Sequence, residues 1–226
     1  MEKTIDNRKA KSEATQRALM QAAEKLIAER GVENISIREI VAKAGQKNES
    51  ALQYHFKNLT GLLNAIHDTR AQQVRLKRAD LLEAALATEH QPTLRQLCAL
   101  MVEPTFLLAR NDASFRRYIK AFGHKLALSE TSPLKVVANK GGGGQAGQRL
   151  ATLLKEAVPH LDGADYRCRM DAAVTLCSAA MYQQARAKNA FRGDQSDLFF
   201  NNLIDALCGM LAAPVSQETA AVKAKR

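Results

Sequence analysis

Tryptophan is absent, aromatic residues make up only 5% of the chain, and just five prolines fall within 226 residues. The thin aromatic complement argues against an aromatic-rich β-sandwich, and the scarcity of proline leaves long stretches free to run as helix. No apolar run approaches the roughly 20 residues that a membrane helix needs. The opening Met1-Glu2-Lys3-Thr4 is polar, unlike the start of a signal peptide, so a cytoplasmic protein with no membrane partner is expected. The four cysteines (Cys98, Cys168, Cys177 and Cys208) form no CxxC pair and have no histidine at metal-ligand spacing. They read as buried, reduced thiols, and no metal site is assigned.

Catalytic constellations are missing too. There are no paired carboxylates, and no nucleophile stands beside a base. The run Gly141-Gly142-Gly143-Gly144 is not a phosphate cradle, because Lys140 precedes it and no Lys-Ser/Thr pair follows. No catalytic residue and no cofactor is assigned, and the chain does not read as an enzyme.

What is present is helix-forming residues: Ala, Leu, Gln, Lys, Arg and Glu dominate. The charge balance is 33 basic against 23 acidic residues, a net +10. Such an excess attracts phosphate. It is not concentrated at the N-terminus, however, where the first sixty residues hold eleven Lys/Arg and eight Asp/Glu. Charge alone therefore supports nucleic-acid binding weakly.

Apolar periodicity predicts an all-α protein of about nine helices. A basic mobile arm is expected over 1–11. The first helix has Thr15 as its cap, Leu19, Ala22, Ala23, Leu26 and Ile27 at helical spacing, and Gly31 as its stop. A second opens at Ser36, buries Ile37, Ile40 and Val41, and ends at Gly45. A third, capped by Asn48, covers about 49–55. The long fourth runs over about 59–87, and its Arg70, Arg75, Lys77 and Arg78 read as a solvated basic face. Further helices are expected over 93–110 with a bend at Pro104, then 114–128, 146–157, 165–190 and 195–212. Residues 129–147 read as a flexible loop around the glycine run. This gives an arm (1–11), a helix-turn-helix DNA-binding domain (12–58), a larger helical domain (59–213) and a polar tail (214–226).

Three short helices with a tight turn between the last two describe a helix-turn-helix, in which one helix enters a major groove about 12 Å wide. The outward residues of the third helix and its approach (Lys47, Asn48, Glu49, Ser50, Gln53 and Tyr54) combine donors, acceptors and a flat ring. Glu49 has two readings, as an acceptor from a cytosine amine or as the charge that neutralises the helix start. His55 reads as a packing residue or a phosphate donor, with catalysis set aside.

Residues 15–63, from Thr15-Gln16-Arg17 through Ala28-Glu29-Arg30-Gly31, Ser36-Ile37-Arg38-Glu39-Ile40 and Ala44-Gly45 to Tyr54-His55-Phe56, resemble the DNA-binding domain of the tetracycline-repressor (TetR) family. The resemblance implies phosphate contacts at Ser36, Arg38 and Lys57. The sequence departs from the common family pattern in three places: a turn around 46–50 that looks one residue longer, Gln53 where Tyr is frequent, and Leu59 where Lys is frequent.

The resemblance also implies a C-terminal dimer interface and an effector pocket. Met170, Val174, Cys177, Met181, Phe199, Leu203, Leu207 and Met210 form stripes on the last two long helices that face either the monomer core or a twin. Leu176, Phe200, Ile204 and Leu211 add a second apolar face, which suits a helix pair packed on both. Met101, Phe106, Tyr118, Phe122, His124 and Tyr182 are candidate pocket walls, with His67 and Gln183 as polar fixers. For each of these, plain core packing competes with ligand binding. The expected function is a homodimeric repressor released from operator DNA by an apolar or amphipathic small molecule, with the fourth helix transmitting the change. A protein of the same fold without an effector, or an activator, is the alternative.

Overall fold

The computed structural model describes residues 2–88, 91–124, 130–139 and 143–225, with side chains from Asn7 onward. Among the described residues there are eleven α-helices and no strand. They are α1 (Glu2–Arg30), α2 (Ile37–Lys43), α3 (Ser50–Phe56), α4 (Leu59–Thr88), α5 (Leu94–Asn111), α6 (Ala113–Phe122), α7 (Pro133–Asn139), α8 (Gly144–Ala157), α9 (Gly163–Arg186), α10 (Gly193–Ala212) and α11 (Gln217–Lys223). A short 3-10 turn, Val32–Asn34, links α1 to α2.

The all-α expectation holds, with two more helices than expected. Both carry a start signal that polarity concealed. Ser132 precedes Pro133, and proline at a first helical position fits the helix because its missing N–H is not needed there. Asp171 then accepts from Ser132 Oγ at 2.7 Å and Leu134 N at 2.9 Å. Helix α7 thus occupies part of the segment expected to be a flexible loop; residues 140–142 and 129 of that segment lie outside the described residues. In the tail, Ser216 Oγ accepts from Thr219 N at 3.2 Å to start α11. Lys223 at its far end donates to Asp162 and, at 2.7 Å, to Asp165. The Lys223 hydrogen bond, aided by backbone N–H donors, pulls the Asp162 pKa down to about 2.

The stretch expected as a separate arm is helical from Glu2 and continuous with α1, since neither glycine nor proline interrupts the chain before Gly31. Helix α5 passes through Pro104 without a break. Helix α6 stops at Phe122, short of the expected 128, and residues 125–129 lie outside the described residues. No single helix among the described residues is long and apolar enough to cross a membrane.

The chain divides into two compact units, Met1–Gln72 with Asp112–Phe122, and Gln73–Asn111 with Gly123–Arg226. The first thus extends beyond the 12–58 domain expected from sequence, taking in the start of α4 and all of α6. Its core joins Leu19, Ala23, Leu26 and Ile27 of α1, Ile40 and Val41 of α2, Leu52 and Phe56 of α3, Leu62 and Ile66 of α4, and Ala121 and Phe122 of α6. Through this core runs an ion pair. Arg70 donates from Nε and Nη2 to the two carboxylate oxygens of Glu24, each at 2.8 Å. Only 8% of the Arg70 side chain and 2% of the Glu24 side chain are exposed. Asp112 and Ser114, at the start of α6, also accept from this guanidinium at 3.4 and 2.9 Å. Burial works against the charge on Arg70, and the carboxylates more than restore it.

In the second unit α5 packs with α8, α9 and α10. Phe106 stacks on Phe200 at 4.6 Å and meets the buried Phe191 edge-on at 5.7 Å, while the Arg110 guanidinium lies 4.6 Å from the Phe106 ring centre. Arg110 is anchored by Asp197 and by the Phe191 carbonyl. Of the four cysteines only Cys98 is fully buried and Cys168 is exposed, which corrects the expectation of four buried thiols. Burial and the adjacent Cys208 push the Cys98 thiol far up, so it stays protonated.

Breaking the buried pair from one side should be costly. Glu24→Gln removes the charge opposite Arg70 and is expected to lower stability by about 3–5 kcal/mol in urea unfolding. The double change Glu24→Leu with Arg70→Met should recover most of that loss.

Candidate nucleic-acid interface

The approach to the recognition helix is set by caps. Ser36 opens α2 with a reciprocal box: its Oγ accepts from Glu39 N at 3.2 Å, and Glu39 Oε2 accepts from Ser36 N at 2.9 Å. Arg30 Nη1 donates to the other Glu39 oxygen at 2.9 Å, tying the end of α1 to the start of α2. These bonds, first that from the Ser36 backbone, hold the Glu39 carboxyl below its usual pKa.

Helix α2 ends in a Schellman arrangement, with Gln46 N donating to Val41 O and Gly45 N to Ala42 O. This needs a left-handed residue, and Gly45 supplies it at φ 70°. The chain then turns through Gln46, Lys47, Asn48 and Glu49, where Asn48 Oδ1 accepts from Ser50 N at 2.9 Å, and α3 begins.

Helix α3 turns Leu52 and Phe56 into the core. On its other side Ser50, Gln53 and Tyr54 face solvent, with Tyr54 82% exposed. An open concavity beside it is lined by Gly45, Gln46, Lys47, Asn48, Ser50, Ala51 and Tyr54. Of the ten residues expected to contact DNA, Ser36, Arg38, Lys47, Asn48, Glu49, Ser50, Gln53, Tyr54 and Lys57 are exposed. His55 is the exception: it is half-buried, with Gln16 Nε2 3.3 Å from its Nδ1. The structure thus brings together a polar surface of donors, acceptors and one aromatic ring on a short helix.

The exit from α3 is strained. Lys57 has φ 67° and ψ −47°, and Asn58 N donates to Phe56 O at 2.8 Å, closing a three-residue γ-turn of the rare hand. Asn58 Oδ1 then accepts from Gly61 N at 2.9 Å to start α4. A Cβ on Gly61 would fall 1.9 Å from the Phe56 carbonyl oxygen. Only glycine lets α4 start this close to the end of the recognition helix.

The residues expected around a ligand fall in different places. In the first unit His67 Nδ1 lies 3.2 Å from Tyr118 OH and its ring meets Phe122 edge-on at 4.7 Å. Burial pushes the Tyr118 pKa up to about 12. In the second unit His124 lies 5.5 Å from Tyr182 between ring centres, and its buried Nδ1 has no hydrogen-bond partner among the described residues. Phe106 belongs to the phenylalanine cluster, Met101 is half-buried, and Gln183 points to solvent. Of the interface candidates, Met170, Met181, Leu203 and Leu207 are buried within the chain itself, while Val174, Cys177, Phe199 and Met210 are half-buried. No cluster of three or more His, Cys, Asp or Glu among the described residues is placed to hold a metal ion.

Sequence reasoning missed the Glu24–Arg70 pair and the Gln16–His55 contact. The available signal was Glu24 itself, a carboxylate directly after Ala23 in an inward-facing apolar pattern.

A three-helix core that exposes the polar face of a short third helix, entered by a glycine turn, is a helix-turn-helix DNA-binding unit. Residues 19–66 match the family of bacterial regulatory proteins described as the tetR family. This N-terminal segment therefore carries the tetR family's DNA-binding domain, and a DNA-binding regulator is the role that the match supports. No curated protein matches the chain.

Solved structures resemble it at low identity. RolR (NCGL1110) in complex with resorcinol is 17% identical over 92% of this chain and 98% of its own, with a TM-score of 0.46. The regulator SCO7518 from Streptomyces coelicolor A3(2) is 16% identical over 88% and 99%, with a TM-score of 0.46. Salmonella enterica GusR is 18% identical over 88% and 96%, with a TM-score of 0.44.

The geometry separates binding residues from scaffolding ones. Gln53→Ala and Tyr54→Ala are expected to shift stability by less than about 0.5 kcal/mol, since both side chains are exposed, while weakening DNA binding in a gel-shift titration. Gly61→Ala should cost about 1–3 kcal/mol in thermal unfolding and weaken DNA binding as well, because the Phe56 carbonyl must move.

Proposed function

We propose that the chain is a homodimeric repressor that holds a palindromic operator in the cytoplasm and leaves it when a small apolar or amphipathic molecule binds. The observation that carries this reading is the exposed face of α3, where Ser50, Gln53 and Tyr54 stand free of the core beneath them. Lys47 and Lys57 flank it and Ser36 and Arg38 stand at the start of α2, the places from which phosphates are held while the third helix reads base edges.

A helix of seven residues reads few base pairs, so useful specificity needs a second copy. In a symmetric dimer the two recognition helices sit about 34–36 Å apart, one turn of DNA. The half-buried Val174, Cys177, Phe199 and Met210, together with Leu198 at 56% exposure, supply apolar surface on α9 and α10 for a twin helix pair. Effector binding to a state with a different spacing would lower DNA affinity by the same factor by which DNA lowers effector affinity. Helix α4, which contributes residues to both units, is the element to transmit that change.

The test is selection of random duplex DNA on the purified chain, followed by titration of the enriched site at two salt concentrations. A palindrome whose affinity falls steeply with salt and is lost in the Gln53→Ala/Tyr54→Ala double variant is the expected result. Failure of folded, ligand-stripped protein to enrich any sequence would overturn the reading.

A further inference from the structure

Glu49 is the one acidic residue between Glu39 and Asp68, and it is exposed beside Ser50, Gln53 and Tyr54. The start of α3 does not depend on it. Asn48 Oδ1 already accepts from Ser50 N at 2.9 Å, and the Glu49 side chain makes no capping bond. Its carboxylate has no hydrogen-bond or ion-pair partner among the described residues, although Lys47 and Lys57 stand to either side of it in the chain. Glu39, by contrast, is held by Arg30 and by the Ser36 backbone.

A bare carboxylate on a DNA-facing surface restricts what that surface can bind. Duplex DNA carries a negative charge about every 1.7 Å along its axis, and each of these repels the carboxylate. Repulsion is offset only where donors meet the two oxygens, which can accept but not donate. In the major groove guanine presents two acceptors, thymine an acceptor and a methyl group, and adenine a donor beside an acceptor. Cytosine presents its N4 amine alone. Cytosine is therefore the base edge that fits Glu49.

Gln53 stands on the same flank of the helix. Its backbone N donates to Glu49 O at 3.1 Å, so the two residues are one turn apart with their side chains in one row. The Gln53 carboxamide is exposed and has no partner among the described residues. It holds a donor and an acceptor side by side, the pattern that matches adenine N6 and N7. Four residues rise about 6 Å along a helix, against a spacing of about 3.4 Å between successive base pairs.

We propose that Glu49 and Gln53 set the sequence of each operator half-site. Glu49 accepts from the N4 amine of a cytosine, and Gln53 bonds an adenine within about two base pairs of it. Glu49 also rejects other DNA by repulsion, so it raises specificity by weakening every wrong complex. This rests on the operator-binding reading above and names the base pairs which that reading leaves open.

The test starts from the site that the unaltered full chain enriches from random duplex DNA. Each half-site should hold a C·G pair within about two base pairs of an A·T pair. Replacing that C·G pair, or methylating its cytosine N4, should weaken binding by about tenfold or more in a fluorescence anisotropy titration. In Glu49→Ala the preference for C·G should fall to about threefold or less, while random duplex binds at least about twofold tighter because a repelling charge is gone. Gln53→Ala should relax the preference for A·T and leave that for C·G.

Indifference to N4 methylation, or an unchanged preference for C·G in Glu49→Ala, overturns the assignment of Glu49. An unchanged preference for A·T in Gln53→Ala overturns that of Gln53. The methylation comparison is made on the unaltered chain and decides for Glu49 even if the variant fails to fold. A palindrome that is enriched but indifferent to both side chains leaves the operator reading standing and sinks this one. No enriched sequence at all sinks the operator reading and this one with it.

Discussion

The Glu24–Arg70 pair is the constraint around which the first unit is arranged. Arg70 is the point where α1, α4 and α6 meet, because its fork is shared by Glu24 on α1 and by Asp112 and Ser114 at the start of α6. A hydrophobic core of leucines and isoleucines tolerates sliding by a turn or a fraction of one, since apolar contacts are not directional. A bidentate pair inside that core does not, because any slip strands two charges away from water. Helix α1 carries Leu19, Ala23 and Ile27 into the same core that supports Leu52 and Phe56 of the recognition helix. The register of α4 against α1 is therefore fixed by charge, and α3 inherits it through packing.

The join between α3 and α4 transmits that register over a very short distance. The γ-turn at Lys57 and the contact between Gly61 and the Phe56 carbonyl leave no slack between the two helices. A residue held at φ 67° without being glycine stores strain, and such strain persists only where the surroundings over-determine the backbone. Here Leu52 and Phe56 pin one side, Leu62 and Ile66 the other. The gain is a recognition helix of two turns that is rigid without depending on its own helical propensity, which a segment of that length could not supply.

What was legible in the sequence follows the same division between apolar pattern and charge. Apolar periodicity located the core faces of α1 through α4 because Leu19, Ile40, Leu52 and Leu62 face one core, and period and burial are a direct physical relation. The capping residue Ser36 and the turn glycine Gly45 act within a few residues of themselves, so they were legible as well. Helix α7 was missed because Ser132 is held by Asp171, far off in sequence, and α11 because its local cap, Ser216 on Thr219, lies in a polar tail whose anchor, Lys223 on Asp162 and Asp165, is equally distant. The basic stretch of α4 misled for the same reason. Arg70, Arg75, Lys77 and Arg78 look alike in a row, but Arg70 alone of the four is buried, against Glu24.

The same pair sets where the first unit can give way. Arg70 is neutralised by groups of the protein itself, Glu24 on α1 and Asp112 and Ser114 at the start of α6. Any movement of α4 against α1 or α6 must first separate charges that are almost wholly withdrawn from water. A ligand shifts an equilibrium only through its differential affinity for the two states. A change that leaves the pair intact moves α1, α4 and α6 together and carries α3 with them, since Leu52 and Phe56 pack in the same core.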